Sequence, residues 1–364
     1  MRILLLGGTG AMGSHLSRIL QERGEDVFIT TRKKRQGEGR LQYIQGNARD
    51  FRFIKNLLTD RWDCIVDFMV YSTEEFESRI ERLLNATKQY VFLSSSRVYS
   101  DREHPIKETS PRLFDVIEDE KYLETDEYAL KKAREENILL ASTNKNYTII
   151  RPYITYSENR LQLGDLELGS WLTRALDGRT IVFSEDIASH TTTLTYGYDV
   201  AKGIAAVIGS QEALGGTFHI TSGESMKWSE ILNIYLNAIE RFTGARPKVK
   251  MIPSSLKLRN KNSQYQVRYD RLYDREFDNR KIMKIAPSLQ FISIEEGLTK
   301  CIQTYISKKY QTKVSYLEEA ERDRITKERI KLNTIKATRD KIIYFSCRYL
   351  RLSWILRKYL LLTN

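Results

Sequence analysis

The run Arg2-Ile3-Leu4-Leu5-Leu6 is apolar and short enough for a buried strand, and it breaks into Gly7-Gly8-Thr9-Gly10-Ala11-Met12-Gly13. A helical pattern starts at once with Leu16, Ile19 and Leu20. Strand, glycine-rich turn and helix in that order demand an α/β layout with a helix N-terminus set at a strand end. Gly7 suits the tight turn, and Gly10 lets the backbone approach a pyrophosphate with no side chain between. Gly13 lets the helix lie close on the strand. The free N–H groups and partial positive charge at the helix start complete a cradle for phosphates. Gly7, Thr9, Gly10, Ala11, Met12 and Gly13 are therefore the candidate dinucleotide-binding segment.

The alternation continues. Strands are expected at Asp26 to Thr31, Leu41 to Gln45, Asp63 to Met69 and Tyr90 to Leu93, with helices from Phe51 to about Leu58 and from Glu74 to Ala86. This pattern predicts a Rossmann-type, doubly wound parallel sheet, whose ligand lies beyond the carboxyl ends of the strands. Gly7 to Gly13, Arg32, Asn47, Met69 and Ser95 would gather on that edge. The second strand runs into Thr31-Arg32-Lys33-Lys34-Arg35 without an acid. A carboxylate there would hold ribose hydroxyls and repel a 2′-phosphate, whereas a guanidinium grips the phosphate. The cofactor expectation is NAD or NADP, leaning to NADP through Arg32.

Farther on, Thr125-Asp126-Glu127 reads as a hydroxyl cap and acidic first turn opening a helix. Tyr128 and Lys132 share one face of it. A phenol with an ordinary pKa near 10 is a poor base at neutral pH, and a nearby ammonium stabilises the phenolate. Ser95, from the cluster Ser94-Ser95-Ser96 at the end of the fifth strand, would hold the substrate oxygen.

With these pieces the chain resembles the extended short-chain dehydrogenase/reductases, the NAD-dependent epimerase/dehydratase group. The matching stretches are the glycine spacing, Ser94-Ser95-Ser96-Arg97-Val98-Tyr99, Tyr128 with Lys132, Ile149-Ile150-Arg151-Pro152, Tyr198-Asp199-Val200-Ala201 and Gly216-Thr217-Phe218-His219-Ile220. The resemblance implies Ser95, Tyr128 and Lys132 as catalytic residues, with Tyr128 the base. It implies further cofactor contacts at Asn47, Ala48, Phe68, Met69, Ser94, Tyr128 and Lys132. Ser96, Arg97, Arg151, Tyr153, Tyr156 and Trp171 would bind substrate, together with Arg160 and Arg174. Dehydratases of the group carry an Asp-Glu pair after the catalytic hydroxyl, and this chain has Ser96-Arg97 there. Elimination of water across C5 and C6 of a sugar therefore lacks its acid and base.

The expected organisation is a cofactor domain over residues 1–152, helped by 198–220. A smaller, mainly substrate-binding lobe comes next over 153–311, then a basic helical tail over 312–364. Of the formal charge of +12, the tail carries +7, which argues against nucleic-acid binding by the body. Ser315 to Lys336 reads as a charged helix. From Lys341 to Leu362 the pattern predicts one amphipathic helix with a stripe of Ile342, Phe345, Tyr349, Leu352, Leu356 and Leu360. A second apolar line contains Ile343, Cys347, Leu350, Trp354 and Leu361. The first stripe is expected to be buried against the body or a second subunit, with an anionic membrane surface as the alternative.

Cys64, Cys301 and Cys347 are scattered, and His15, His104, His190 and His219 do not cluster with them, so no metal site is expected. Scattered thiols fit a cytoplasmic setting. With the first strand starting at residue 2 and no stretch of about 18 apolar residues, neither a secretory leader nor a bilayer-spanning segment is expected. The combined expectation is an NAD(P)-dependent epimerase or oxidoreductase of a nucleotide-linked sugar, dimeric, working at C4 and not a 4,6-dehydratase. An NADPH-dependent keto-sugar or carbonyl reductase is the alternative enzyme. A non-catalytic member holding RNA or a protein through the tail is the alternative of another class.

Overall fold

The computed structural model describes residues 1–258, 261–308, 310 and 312–362. They form two compact units, the first made of Met1–Ser157, Thr193–Ser225 and Arg275–Ile294. The second takes the remainder: Glu158–Thr192, Met226–Asp274 and the chain from Glu295 onward. The first unit thus reclaims residues 193–225 and 275–294, more than the return at 198–220 that the sequence suggested.

The first unit is built on a seven-stranded sheet. Its strands are β1 (Arg2–Leu6), β2 (Asp26–Thr31), β3 (Leu41–Gln45), β4 (Trp62–Asp67), β5 (Thr87–Leu93), β6 (Tyr147–Pro152) and β7 (Thr217–Ile220). The order across the sheet is β7-β6-β5-β4-β1-β2-β3, and every pairing is parallel. β1 lies inside the sheet between β2 and β4, and helices cover both of its faces, so it must be apolar throughout. Ile3 and Leu5 enter the core on one face, Leu4 and Leu6 the core on the other. Helices α1 (Gly13–Glu22) and α5 (Gly197–Val207) bring Leu16, Ile19, Val200 and Ile204 to the first face. Helices α3 (Thr73–Asn85) and α4 (Tyr128–Ala141) bring Phe76, Ile80, Leu83 and Leu139 to the second. Short α2 (Phe51–Leu57) adds Ile54. The fold is the expected Rossmann-like α/β sheet.

One local start differs from expectation. Glu127, not Thr125, caps α4: its carboxylate accepts from the Ala129 N–H at 2.8 Å. Thr125 instead gives its hydroxyl to the Tyr122 carbonyl at 2.7 Å, closing the turn before the helix. A carboxylate reaches the free N–H groups as well as a hydroxyl does, and it also meets their positive end with a full charge.

In the second unit a two-stranded parallel pair, Ile181–Ser184 with Val249–Ile252, packs near helices Leu168–Leu176 and Tyr316–Thr326. Trp171 lies at 0% exposure with its ring 4.3 Å from that of Tyr235. The start of the tail is held by a buried ionic cluster. Arg174 donates to Glu319 at 2.9 Å and Asp323 at 2.8 Å, and Arg179 donates to the same two acids at 2.8 and 3.2 Å. Tyr344 adds a hydrogen bond to Asp323 at 2.6 Å.

The tail departs from the expected pattern in three ways. The charged helix is shorter, Tyr316–Thr326, because Lys327 turns left-handed at φ 61°. The terminal helix is two helices, Thr338–Arg348 and Ser353–Leu362, broken where Arg351 takes φ 58°. The buried set is neither expected line: Tyr344, which belongs to neither, and Cys347 enter a core with Leu317, Ala320 and Ile335, joined by Ile343 of the second line and Leu356 of the first. Ile342 stays 61% exposed, and Phe345, Tyr349, Leu350 and Trp354 are exposed with it. Tyr344 is held inward by the hydrogen bond of its hydroxyl to the buried Asp323. The side chains of Lys358, Tyr359, Leu360 and Leu361, and residue 311 at the end of the expected substrate lobe, lie outside the described residues. No helix among the described residues is long and apolar enough to cross a membrane.

Candidate functional site

The loop after β1 behaves as its glycines require. Gly7 has φ 72°, a conformation costly for any side chain, and its N–H donates to Thr30 Oγ1 at 2.9 Å. A Cβ at Gly13 would lie 2.4 Å from the Gly8 carbonyl oxygen, so α1 can sit this close only without one. At Gly10 a Cβ would meet nothing within 4 Å. Gly10 is therefore not a packing glycine; its missing side chain leaves open space at the helix start. Ala11 sits against α5, where a Cβ on Gly197 would be 2.6 Å from its carbonyl, and Met12 Sδ accepts from Thr155 Oγ1 at 3.8 Å.

Beside this loop, at the carboxyl ends of β1, β2 and β3, opens a cavity of about 690 Å³. Gly7, Thr9, Arg32, Asn47, Ala48 and Met69 all line it, so six residues singled out from the sequence meet there. Lys33, Arg35 and Arg49 add three more cations, and none of the described lining residues is acidic. Arg49 is paired with Glu75 at 3.0 Å, whereas Arg32 and Lys33 are exposed and make no ion pair among the described residues. Asn47 spends its carbonyl on the Arg49 N–H at 3.1 Å, which shapes the turn. The backbone of Phe68 donates to the Leu6 carbonyl at 2.9 Å, and its side chain packs on the core.

The three serines after β5 have different commitments. Ser94 donates to Glu136 at 2.6 Å, and Ser96 donates to the Arg151 carbonyl at 2.8 Å. Ser95 accepts from the Arg97 N–H at 3.2 Å and is the one whose own O–H is not spent among the described residues. Tyr128 is the first residue of α4 and half-buried, with the Arg97 guanidinium 5.3 Å from its ring centre. Arg97 is paired with Glu127 at 2.6 Å. Lys132, one turn along α4 from Tyr128, is 1% exposed.

Several expected substrate contacts are corrected by burial. Arg151 is committed to Glu136 by two hydrogen bonds of 2.8 and 2.6 Å, with its guanidinium 4.7 Å from the Tyr99 ring centre. A bidentate buried pair of this kind is a structural joint between β6 and α4. Ser96 is fully buried with its hydroxyl spent. Tyr153 and Tyr156 are also buried, against Phe277 and Tyr196. Trp171 and Arg174 are fully buried in the second unit, committed to Tyr235 and to Glu319 and Asp323. Large aromatic and guanidinium groups look alike in sequence whether they face a ligand or a core.

Sequence reasoning missed a buried polar cluster behind Lys132. Its ammonium is 2.9 Å from Glu135, which is 0% exposed, and 4.5 Å from the Phe92 ring centre. Asp67, at the end of β4, is 1% exposed and accepts from the Met69 N–H at 2.9 Å and the Tyr90 hydroxyl at 2.8 Å. Burial pushes both carboxyls up, that of Glu135 to about 7 against the pull of Lys132. The signal was present: an acid three residues after Lys132 on the same helix, and an acid inside the apolar run of β4. Among the described residues no group of acids, histidines and cysteines is arranged to hold a metal.

The family model described as NAD dependent epimerase/dehydratase matches residues 3–220. The chain is 27% identical over 239 residues to the chloroplast stem-loop binding protein of 41 kDa b from Arabidopsis thaliana, covering 61% of this chain and 59% of that one. It is 29% identical over 136 residues to a UDP-glucose 4-epimerase from Lacticaseibacillus casei, covering 31% and 41%. It thus spans roughly half the length of these two relatives. With the UDP-N-acetyl-alpha-D-glucosaminuronate decarboxylase of Bacillus cytotoxicus it shares 24% over 339 residues, 84% of this chain and 97% of that one. Among solved structures, the UDP-glucuronic acid 4-epimerase of Bacillus cereus, in complex with UDP-glucuronic acid and NAD, superposes with a TM-score of 0.64. Its identity is 16%, and the match covers 85% of this chain and all of that one, a likeness of fold.

Proposed function

Because the chain belongs to the NAD dependent epimerase/dehydratase family, we propose that it oxidises a nucleotide-linked sugar with bound NAD(P), most directly at C4. The observation that carries this reading is the open space at Gly10 beside a cavity lined by the predicted cofactor residues. Backbone N–H groups at the start of α1 would hold the pyrophosphate, with Gly7, Thr9, Asn47, Ala48 and Met69 along the rest of the cofactor. When bound, the nicotinamide supplies the two-electron acceptor for the sugar's hydride. Ser95 gives the substrate oxygen its free O–H, and Tyr128 takes the hydroxyl proton. Lys132 steadies the charge that develops on Tyr128.

The unpaired Arg32 and Lys33, in a cavity wall without acids, support NADP over NAD. Ser96 and Arg97 at the positions of the dehydratase acid and base support epimerisation or net oxidation over 4,6-dehydration. The test is mass spectrometry of co-purifying nucleotides, then a turnover screen of sugar nucleotides with Tyr128→Phe as control. Tyr128→Phe should cut turnover by about 10²–10⁴ while cofactor affinity holds. Full activity in that variant would remove Tyr128 from the mechanism, and a 4-keto-6-deoxy product would overturn the exclusion of dehydration.

The likeness to a protein named for stem-loop binding favours one second reading, a member that holds RNA. Stem-loop RNA retained on a filter by Tyr128→Phe as well as by the parent, with no sugar turned over by either, would select it.

For the tail, the exposed Ile342, Phe345, Tyr349, Leu350 and Trp354 lie among Arg339, Lys341, Arg348 and Arg351. Apolar groups interleaved with cations match an anionic lipid surface, and we assign the patch to that contact. Trp354→Ser with Phe345→Ser should abolish sedimentation with anionic vesicles. A concentration-dependent mass lost in the same variant, without vesicle binding by the parent, would show a homodimer instead.

A further inference from the structure

The Lys132 ammonium lies 2.9 Å from the Glu135 carboxyl and interacts electrostatically with that of Asp67, each of the three residues at most 1% exposed. A buried charge is tolerated only when paired, so one ammonium balances one carboxylate and the second carries a proton. Asp67 has two donors, the Met69 N–H and the Tyr90 hydroxyl, and hydrogen bonds to the charged form favour it. The oxygens of Glu135 have no hydrogen bond among the described residues, although the Lys132 ammonium lies 2.9 Å away. Glu135 is the carboxyl that lies against the ammonium, so its ionisation is the one that bears on Lys132.

We propose that Glu135 is a positioning residue for Lys132. Protonated, it leaves the ammonium to Tyr128 and the cofactor; ionised, it captures the ammonium one turn farther along α4. This rests on the reading of Tyr128 and Lys132 as an acting pair. The switch is set within the first unit. Glu135 faces Lys131 and Lys132 on its own helix, Asp67 on β4 and Tyr90 on β5, and Asp67 in turn faces Tyr71, whose ring Arg79 covers from α3. Burial pushes the Glu135 carboxyl up to about 7, so capture would begin close to neutral pH.

The test compares the full-length protein with Glu135→Gln, which keeps size and shape but cannot ionise. Infrared spectra of the parent should contain a protonated-carboxyl band at pH 6 that is gone by pH 9 and missing from the variant at both. Affinity for NAD(P) should weaken in the parent between those pH values, by roughly tenfold for one charge-assisted contact, and stay level in the variant. Turnover, where a substrate is found, should lose its alkaline limb in Glu135→Gln. A parent without a titrating carboxyl band overturns the proposal, and so does one whose cofactor affinity is independent of pH. Cofactor binding that tracks pH as described, in a protein that turns over no sugar, would sink the enzymatic reading and leave the switch standing. Should Glu135→Gln fail to fold, Asp67→Asn serves: removing that neighbouring charge should move the affinity loss to lower pH. An unmoved or upward shift refutes the proposal.

Discussion

Gly10→Ala separates a glycine kept for a ligand from glycines kept for the fold. The added methyl group meets no protein atom within 4 Å, and Gly10 does not adopt the left-handed φ that Gly7 does. Folding should therefore be unharmed, and the unfolded chain loses freedom, which adds about 0.4–1 kcal/mol. On the proposed reading, the methyl group stands where a pyrophosphate would approach the helix start. Losing one charge-assisted hydrogen bond there costs about 1.5–3 kcal/mol, or roughly 10- to 150-fold in affinity. Gly13→Ala is the contrast, since its Cβ would lie 2.4 Å from the Gly8 carbonyl and force α1 off the strand. Forced repacking of that kind costs about 1–3 kcal/mol of stability. Thermal melting and calorimetric titration with NAD and NADP read both effects. Gly10→Ala should melt no lower than the parent and bind either cofactor at least tenfold more weakly, whereas Gly13→Ala should melt lower. A Gly10→Ala protein with the parent's affinity would refute the cradle.

Arg32→Ala should narrow a preference for NADP, and equal affinity of the parent for both cofactors would sink that preference. Tyr344→Phe removes the donor to buried Asp323 and the acceptor of the Ile330 N–H, 2.6 and 2.9 Å away. It should loosen the tail by about 1.5–3 kcal/mol, read as faster hydrogen exchange over residues 316–348; unchanged exchange contradicts the anchoring role. The folded state holds the Glu135 proton up to about 7, against 4.5 for an ordinary glutamate. The parent should therefore lose stability as pH climbs between those values, and Glu135→Gln should flatten that slope in denaturant titrations. Parallel slopes would place the proton elsewhere.

The sheet was legible because its signal is local. Both faces of β1 and β4 are buried, so the apolar run announces the strand, and the glycine turn announces helix α1. The open cradle and the residues at the strand ends are consequences of that topology. What failed was anything settled by distant partners. Arg151 and Trp171 look like ligand contacts until Glu136 and Tyr235 take them, and those partners lie on other elements. The tail misled for the same reason. Ile342 and Phe345 form the more regular stripe, but the hydroxyl of Tyr344, a residue of neither expected line, meets an acid 21 residues earlier and is drawn inward.

The path of the chain through the sheet has a consequence for synthesis. β6 pairs on one side with β5, already made, and on the other with β7, which begins only at Thr217. The residues between β6 and β7 take a ribosome on the order of 3 to 13 seconds at 5–20 residues per second. For that interval Ile149 and Ile150 sit on an unpaired edge, a template for another nascent chain. Crowded polysomes making this protein would be the place where it aggregates, and slowing initiation, which spaces the ribosomes, is the way to raise its yield.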